Sequence, residues 1–174
     1  MPMIEVTVVR LGLDSSSNSY VVILREKDGQ RLLPIWIGQP EAESIVNAMN
    51  QIKPQRPNAH DLGKAFIVGL GGALRRVTIT RVENNTYYAE MQIDGFNGLL
   101  RVDARPSDSI ALALRLGAPI FAPQELLTTF DSDEGAADAD ETAFDLSGEH
   151  ELTAEQLKAY LENLRPEDFG KFTP

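Results

Sequence analysis

Alternation of apolar and polar residues marks seven short segments of the chain as β-strands. In the first of them Ile4 and Val6 face one way while Glu5 faces the other. The predicted strands are 4–13, 20–25, 31–37, 75–82, 86–93, 99–103 and a short last one at 120–122. Asp28-Gly29, between the second and third strands, is typical of a tight hairpin turn.

Three segments between the strands repeat their apolar residues every three or four positions, which predicts helices at 41–51, 59–70 and 106–116. Asn58 stands where its side chain can cap the second helix. Pro106 suits the first turn of the third helix, Ser107 can cap it, and Gly117 suits a left-handed residue after its end. The third helix is apolar around most of its circumference, so we expect it to be buried.

The order of elements is βββααβββα, which predicts an α+β fold with two β-meander-plus-helix halves forming one compact domain. The two halves resemble each other, because residues 43–49 match residues 108–114 at a fixed offset of 65. Chance similarity between two amphipathic helices is the alternative to a duplication. If the duplication is real, Glu43 and Asp108 hold equivalent positions and their carboxylates could meet near one site.

The acidic charge of the chain is confined to its C-terminal part. Residues 1–127 hold 13 basic and 13 acidic residues, whereas residues 128–174 hold 3 basic and 13 acidic ones. We therefore expect a neutral domain at 1–127, without the strongly basic surface of many nucleic-acid binders. Residues 128–151 are predicted to form an acidic flexible linker, because they offer little apolar surface to bury.

Residues 152–174 are predicted to form a C-terminal helix and tail, with one apolar stripe made by Leu157, Tyr160, Leu161 and Leu164. An isolated helix this short is marginal in water, so we expect it to dock on its own domain or on a partner. A further possibility is that the acidic linker covers a binding cleft as a mimic of nucleic acid.

Cysteine is absent from the chain, which excludes disulfides, thiolate catalysis and cysteine-ligated zinc. There is no apolar run of about 18 residues, so no membrane span is predicted. The first residues lack the basic and apolar regions of a secretory signal. These observations together predict a cytoplasmic protein.

The sequence contains no Ser-His-Asp motif, phosphate-binding loop, HExxH or zinc-finger spacing. His60 and Asp61 are the first candidates for chemistry, because a histidine can act as a general base or a metal ligand at neutral pH. In the alternative interpretation Asp61 interacts with the helix dipole and His60 bonds to a neighbouring backbone group.

Four carboxylates form the second candidate set, namely Glu41, Glu43, Asp103 and Asp108. Hydrolysis of phosphodiesters with Mg²⁺ or Mn²⁺ needs hard oxygen ligands, which carboxylates from different elements can supply. Glu41 and Asp108 are also ordinary residues for the first turn of a helix.

Arg56 and Arg105, each followed by proline, are the third candidates. A planar guanidinium can bind phosphate or carboxylate through two parallel hydrogen bonds. The alternative is an internal ion pair such as Arg105 with Asp61.

Several motifs occur together and in order, and the region they cover, about residues 3–127, resembles the bifunctional nuclease family. They are Leu33-Pro34-Ile35-Trp36-Ile37-Gly38, Glu41-Ala42, Arg56-Pro57-x-x-His60-Asp61-Leu62, Thr86-Tyr87-Tyr88-Ala89, residues 104–115 and Gly117-Ala118-Pro119-Ile120. The resemblance implies a compact α+β domain, often dimeric, that cuts both DNA and RNA. The polar residues that match the family pattern are Glu41, Arg56, His60, Asp61, Arg105, Ser107 and Asp108. One departure is Ala59, where the family usually has threonine or serine.

We therefore predict a cytoplasmic, homodimeric nuclease that hydrolyses phosphodiester bonds in DNA and RNA with a divalent metal, Mg²⁺ or Mn²⁺. The predicted roles are phosphate binding for Arg56 and Arg105, metal binding for Glu43, Asp61 and Asp108, and proton transfer for His60. The rival hypothesis is a non-catalytic binding or regulatory module in which the Arg, Asp and His cluster is a structural ion network. A buried and fully paired network favours the rival, whereas an open cleft that exposes His60 favours catalysis.

Overall fold

The computed structural model describes residues 2–14 and 17–129 and contains seven strands and three α-helices in the described part. The elements are β1 (Met3–Asp14), β2 (Ser19–Glu26), β3 (Leu32–Ile37), α1 (Gln39–Met49), α2 (Ala59–Gly69), β4 (Ala73–Glu83), β5 (Thr86–Gly95), β6 (Gly98–Ala104), α3 (Pro106–Leu116) and β7 (Ile120–Pro123). The predicted α+β class and order of elements are confirmed. The acidic segment from residue 130 and the predicted C-terminal helix lie outside the described residues.

All seven strands form one sheet, in the order β3-β2-β1-β7-β4-β5-β6. Each half is an antiparallel meander, and the two meanders spread outward from the centre. The short strand β7 lies between them, antiparallel to β1 with Ile120 opposite Val6, and parallel to β4 with Ile120 opposite Val77. The two halves of the sheet are therefore joined through four residues near the end of the domain.

Two helices pack directly on the sheet: α1 contacts β2, and α3 contacts β4 and β5. The third, α2, contacts α3 and β4. Fully buried side chains from both halves form one core; among the largest are Leu24, Leu33, Ile35, Ile45, Ile79 and Ile110. Helix α3 buries seven of its eleven residues, as predicted from its composition, whereas α2 buries none. None of the described helices has both the length and the apolar character needed to cross a membrane.

The helix ends explain how the polar residues are placed. The side chain of Asn58 accepts a hydrogen bond from the Asp61 amide, and the Asp61 side chain accepts one from the Asn58 amide, so the predicted cap of α2 is confirmed as a capping box. Gly117 ends α3 with a φ of +66°, a left-handed conformation that suits glycine. The predicted cap by Ser107 is wrong, because Arg105 occupies the N-cap position and no side chain caps the helix.

Candidate functional site

The first turns of all three helices meet around a cleft of about 250 Å³. It is lined by Pro40, Glu41 and Ser44 from α1, by Asn58, Ala59 and His60 at the start of α2, and by Arg105 and Asp108 at the start of α3. These helix starts converge because α1 and α2 both pack against α3. The polar residues that begin each helix therefore share one surface depression.

His60 lies at the centre of a hydrogen-bonded series that runs across the cleft. Its Nδ1 atom is 2.6 Å from Oγ of Ser44, and its Nε2 atom is 2.9 Å from Oδ1 of Asp108. The His60 side chain is 14% exposed, and that of Asp108 is 30% exposed. The side chains of a serine, a histidine and an aspartate are thus linked in this order by hydrogen bonds, although they come from three different helices.

The direction of each hydrogen bond in this series follows from the partners of Ser44. Oγ of Ser44 accepts hydrogen bonds from Nη2 of Arg115 at 2.9 Å and from Nδ2 of Asn58 at 3.3 Å. Because both lone pairs of the hydroxyl are then used, its single hydrogen points to Nδ1 of His60. Neutral His60 therefore carries its proton on Nε2 and donates it to Asp108.

Arg105 closes the outer side of the cleft. Its Nε atom donates to Oδ2 of Asp108 at 2.7 Å, and its Nη2 atom lies 3.1 Å from Oδ1 of Asp108 and 2.8 Å from Oε1 of Glu41. The Arg105 side chain is 66% exposed, whereas that of Glu41 is 15% exposed. The guanidinium group is therefore held by two carboxylates and still faces solvent.

The ionisation of Asp108 is set by two opposing effects. Partial burial raises the pKa of its carboxyl, but hydrogen bonds from Arg105 and His60 outweigh burial and lower the pKa below its ordinary value. In return, the hydrogen bond to Asp108 raises the pKa of the Arg105 guanidinium. Asp108 is therefore a carboxylate at neutral pH and can stabilise a proton on His60.

A second ion pair lies behind the cleft. Nε of Arg115 donates to Oδ1 of Asp61 at 2.7 Å, and the Arg115 side chain is only 6% exposed. Nη1 of Arg115 donates to the carbonyl oxygens of Ser44 and Ala111. The hydrogen bond from Arg115 lowers the pKa of the Asp61 carboxyl. The alternative of an internal ion pair for Arg105 is therefore confirmed, but with another partner: Arg105 binds Asp108 and Glu41, whereas Asp61 is bound by Arg115.

The structure brings together four of the predicted site residues at the cleft, namely Glu41, His60, Arg105 and Asp108. The remaining predicted residues do not line the cleft. Arg56 is exposed and forms no hydrogen bond or ion pair with the described residues, and Asp103 is exposed on β6. Glu43 is exposed and accepts a hydrogen bond from Gln39, Asp61 lies behind the cleft, and Ser107 is buried.

The described carboxylates of the site do not form a binding site for Mg²⁺ or Mn²⁺. Among residues 2–14 and 17–129, no group of three or more His, Asp or Glu side chains is placed to hold a metal ion. Glu43, Asp61 and Asp108 are not gathered in one place, and the last two already bind arginines. The described side chains, in this arrangement, therefore do not fit a divalent metal.

Sequence reasoning missed Ser44 and Arg115 as parts of the site. Both carried a signal that could have been used. Ser44 is a polar residue next to the apolar stripe of α1. Arg115 is the one polar residue in the apolar second half of α3, two turns after Asp108. A polar group on a buried face is expected to have a specific partner, because burial without one is unfavourable.

Comparison with known proteins places the chain in a family. The model of the "Bifunctional nuclease domain" family matches residues 22–134, which include every residue that lines the cleft. An uncharacterized protein of Mycobacterium tuberculosis is 39% identical over 171 residues, covering 95% of this chain and 97% of its own length.

Two plant relatives match a smaller part. Bifunctional nuclease 1 of Oryza sativa subsp. indica is 29% identical over 114 residues, 63% of this chain and 34% of the plant protein. Bifunctional nuclease 1 of Arabidopsis thaliana is 27% identical over 103 residues, 57% of this chain and 32% of that protein. The matched region is thus about a third of each plant protein. Since the family model covers well over half of the sequence and the whole cleft, the chain belongs to the bifunctional nuclease domain family.

Proposed function

We propose that this protein is a nuclease that hydrolyses phosphodiester bonds of DNA and RNA in the cleft between α1, α2 and α3. The observation that carries the proposal is the position of His60, held between Ser44 and Asp108 beside the exposed guanidinium of Arg105. Membership of the family and the names of the plant relatives support it. Cleavage of a phosphodiester needs a group that moves protons and a cation that binds phosphate, and both are at the cleft.

Arg105 is the phosphate-binding group in this proposal. Its Nε and Nη2 atoms are used by Asp108 and Glu41, whereas its Nη1 atom forms no hydrogen bond with the described residues. An arginine has five N–H donors in a fixed plane, so those of Nη1 can bind a phosphate oxygen while the other contacts stay in place. The same guanidinium would stabilise the negative charge that develops on the phosphate oxygens during cleavage.

His60 is the proton-transfer group, and Asp108 fixes its orientation. Nε2 of His60 donates to the ionised carboxylate of Asp108, so Nδ1, which accepts the hydrogen bond from Ser44, is the ring atom that can take up a proton. When Nδ1 accepts a proton, the imidazolium is stabilised by Asp108, as in other sites that pair a histidine with a carboxylate. Arg56 is exposed just before the cap of α2, and we propose that it binds the nucleic-acid backbone outside the cleft.

The described residues contain no ready-made site for Mg²⁺ or Mn²⁺, so the metal requirement is a prediction from the sequence that the assay tests separately from the roles of His60 and Arg105. The experiment compares wild type, His60→Ala and Asp108→Ala from parallel purifications on labelled single-stranded DNA, double-stranded DNA and RNA. Each reaction is run with Mg²⁺, with Mn²⁺ and with EDTA. Lys64→Ala, on the exposed side of α2, is the matched control. We expect cleavage by wild type and the control and its loss in both cleft variants; equal cleavage by all four proteins would show that the activity is a contaminant.

A second candidate function, a non-catalytic binding or regulatory module, is favoured by the burial of Arg115 and the complete pairing of Asp61. In that case the polar cluster holds the helices together and does no chemistry. The assay separates the two candidates, because the module would bind nucleic acid without cleaving it under any of the three conditions. The variants would then change stability alone.

The proposal includes a homodimer formed through α2 and the edge strand β6. Leu62 and Phe66 on α2 are 46% and 59% exposed, and Leu99 and Leu100 on β6 are 47% and 56% exposed. In the described part of the chain β6 has a partner on one side only, so its outer backbone groups can pair with another strand. Nucleic acid is the proposed partner of the cleft, and the cytoplasmic location remains a prediction from the sequence.

A further inference from the structure

The hydroxyl of Ser44 has an environment that differs from that of an ordinary buried serine. It donates a hydrogen bond to Nδ1 of His60, and it accepts one from the guanidinium of Arg115. The first contact provides a base that can remove the hydroxyl proton, and the second provides a positive charge that stabilises the oxygen once the proton has left. Both contacts favour the ionised form of the hydroxyl, which is the nucleophilic form.

The same geometry determines which group His60 can deprotonate when it acts as a base. Nε2 is bound to Asp108, so only Nδ1 can accept a proton, and the hydroxyl in contact with Nδ1 is that of Ser44. A water molecule could be activated by His60 only if the bond with Ser44 were broken. Ser44 and Arg105 both line the cleft, although Ser44 as a whole residue is only 4% exposed.

We infer that Ser44 is the nucleophile of the cleft and that phosphodiester cleavage passes through a covalent intermediate, in which a phosphodiester joins Oγ of Ser44 to one of the two nucleotides. This inference rests on the proposed function. It assigns the three roles of a serine hydrolase to Ser44, His60 and Asp108, with Nδ1 of the histidine facing the serine.

The first step transfers the phosphate to the protein. Oγ of Ser44 attacks the phosphorus atom that Arg105 binds, and the bond from phosphorus to the leaving nucleotide oxygen breaks. The hydroxyl proton moves to Nδ1 of His60, which then gives it to the leaving oxygen. The products of this step are a free nucleotide alcohol and an ester between Ser44 and the remaining phosphate.

The second step restores the protein by hydrolysis. Water attacks the phosphorus atom, its proton moves to Nδ1 of His60, and the bond from phosphorus to Oγ of Ser44 breaks. His60 returns the proton to Ser44, so the site regains its starting protonation state. Water is the only co-reactant, and no oxidation or reduction takes place.

The inference is tested first by trapping. Wild-type protein is mixed with an oligonucleotide labelled with ³²P at each phosphodiester, quenched in acid, digested, and the labelled peptide is identified. We expect label on Ser44, none in Ser44→Ala, and a fall in kcat of about 1,000-fold in that variant. Ser109→Ala is the control, because Ser109 is a buried serine at the matching position of α3, bonded to a backbone carbonyl. Cleavage by Ser44→Ala at the wild-type rate would overturn the inference and leave the proposed function intact.

A second measurement does not depend on nuclease activity or on tolerance of alanine. Ser44→Cys introduces the single thiol of a chain that has no cysteine, and its rate of alkylation by iodoacetamide is measured from pH 5 to 9. If His60 and Arg115 activate this position, the thiol reacts at least about tenfold faster at neutral pH than that of Ser109→Cys, and the added His60→Ala change abolishes the difference. An unreactive thiol in a folded Ser44→Cys variant would show a structural serine. If wild type cleaves nothing and the thiol is still activated, the proposed function fails while the nucleophilic site stands.

Discussion

Nε2 of His60 lies 2.9 Å from Oδ1 of Asp108, although 48 residues separate them in the chain. This contact joins the first turn of α2 to the first turn of α3, and the pair of Asp61 with Arg115 joins the same two helices behind the cleft. Because α2 buries none of its residues, these polar contacts hold it in place where apolar packing usually would. The groups proposed for catalysis are therefore also groups that position a helix.

Loss of the charge on Asp108 tests whether this carboxylate assists His60. Asp108→Asn preserves the size of the side chain but removes the negative charge that stabilises a proton on His60. We expect kcat for nucleic-acid cleavage to fall about 100-fold or more, with a smaller change in KM. The measurement is steady-state kinetics beside Lys64→Ala, and an unchanged kcat would remove Asp108 from the mechanism.

Removal of Arg115 tests the support behind the cleft. Arg115→Met deletes a buried guanidinium that binds Asp61, Ser44 and Ala111, so polar groups lose their partners. We expect the free energy of unfolding to fall by about 3 kcal/mol or more, measured in urea. Arg75→Met is the matched control, since it removes an exposed ion pair with Asp94 and is expected to change stability by at most about 1 kcal/mol.

The ion pair between Asp61 and Arg115 should make the stability of the folded protein depend on pH in the acidic range. The pKa of the Asp61 carboxyl is lower in the folded protein than in the unfolded chain, chiefly because Arg115 donates a hydrogen bond to it. Its stabilising contribution is therefore present above the unfolded pKa of about 4 and is lost as the pH falls through the lower folded pKa. We expect Asp61→Asn to be less stable than wild type at pH 7, with a difference that shrinks below about pH 4. Thermal melts across this range measure it, and a constant difference at all pH values would contradict the ion pair.

Phe66 tests the proposed dimer. Phe66→Asp places a charge on the exposed apolar face of α2. Because the Phe66 side chain is 59% exposed and is not part of the core, the separated protomer is expected to keep its melting temperature at low concentration. We expect wild type to sediment as a dimer and this variant as a monomer. Trp36→Gln, which alters an exposed aromatic residue on the opposite edge strand β3, should leave the dimer intact. A wild-type protein that sediments as a monomer up to high concentration would reject this interface.

The charge of the acidic C-terminal residues leads to a prediction about the affinity of the protein for nucleic acid. A protein ending at Thr129 lacks 13 acidic and 3 basic residues, which leaves a domain without net charge. If the acidic segment competes with nucleic acid, the truncated protein should bind single-stranded DNA about tenfold more tightly at low salt, and the difference should shrink as salt is added. Equal affinity of the two proteins at matched salt would contradict the mimicry hypothesis.

Local signals were enough to predict the elements of the fold. Pro106 and Gly117 delimit α3 in the sequence as they do in the structure, and Asn58 caps α2 as predicted. Such signals act within a few residues of the chain and do not depend on the rest of the protein. The strands are mostly one or two residues longer than predicted, because pairing with neighbouring strands continues past the segment in which apolar and polar residues alternate.

The site was predicted only in part, because its contacts depend on how the helices pack. Nothing in the sequence states whether Arg105 or Arg115 reaches Asp61. Arg105 precedes α3 and Arg115 lies in its last turn, so the outcome depends on where along α3 the helix α2 docks. Ser44 was missed for the same reason, as its contact with His60 requires α1 and α2 to be docked on α3. Long-range contacts of this kind need the tertiary structure.

The central position of β7 has a consequence for synthesis of the protein on the ribosome. A nascent chain that has emerged only as far as α3 carries two meanders whose inner strands, β1 and β4, do not pair with each other. Their open edges can recruit strands from other nascent chains until Ile120–Pro123 leaves the exit tunnel and closes the gap. The sheet of this domain therefore closes only after both meanders and all three helices have been synthesised. A chaperone that shields the edges of β1 and β4 would raise the yield of folded protein more than one that binds the helices.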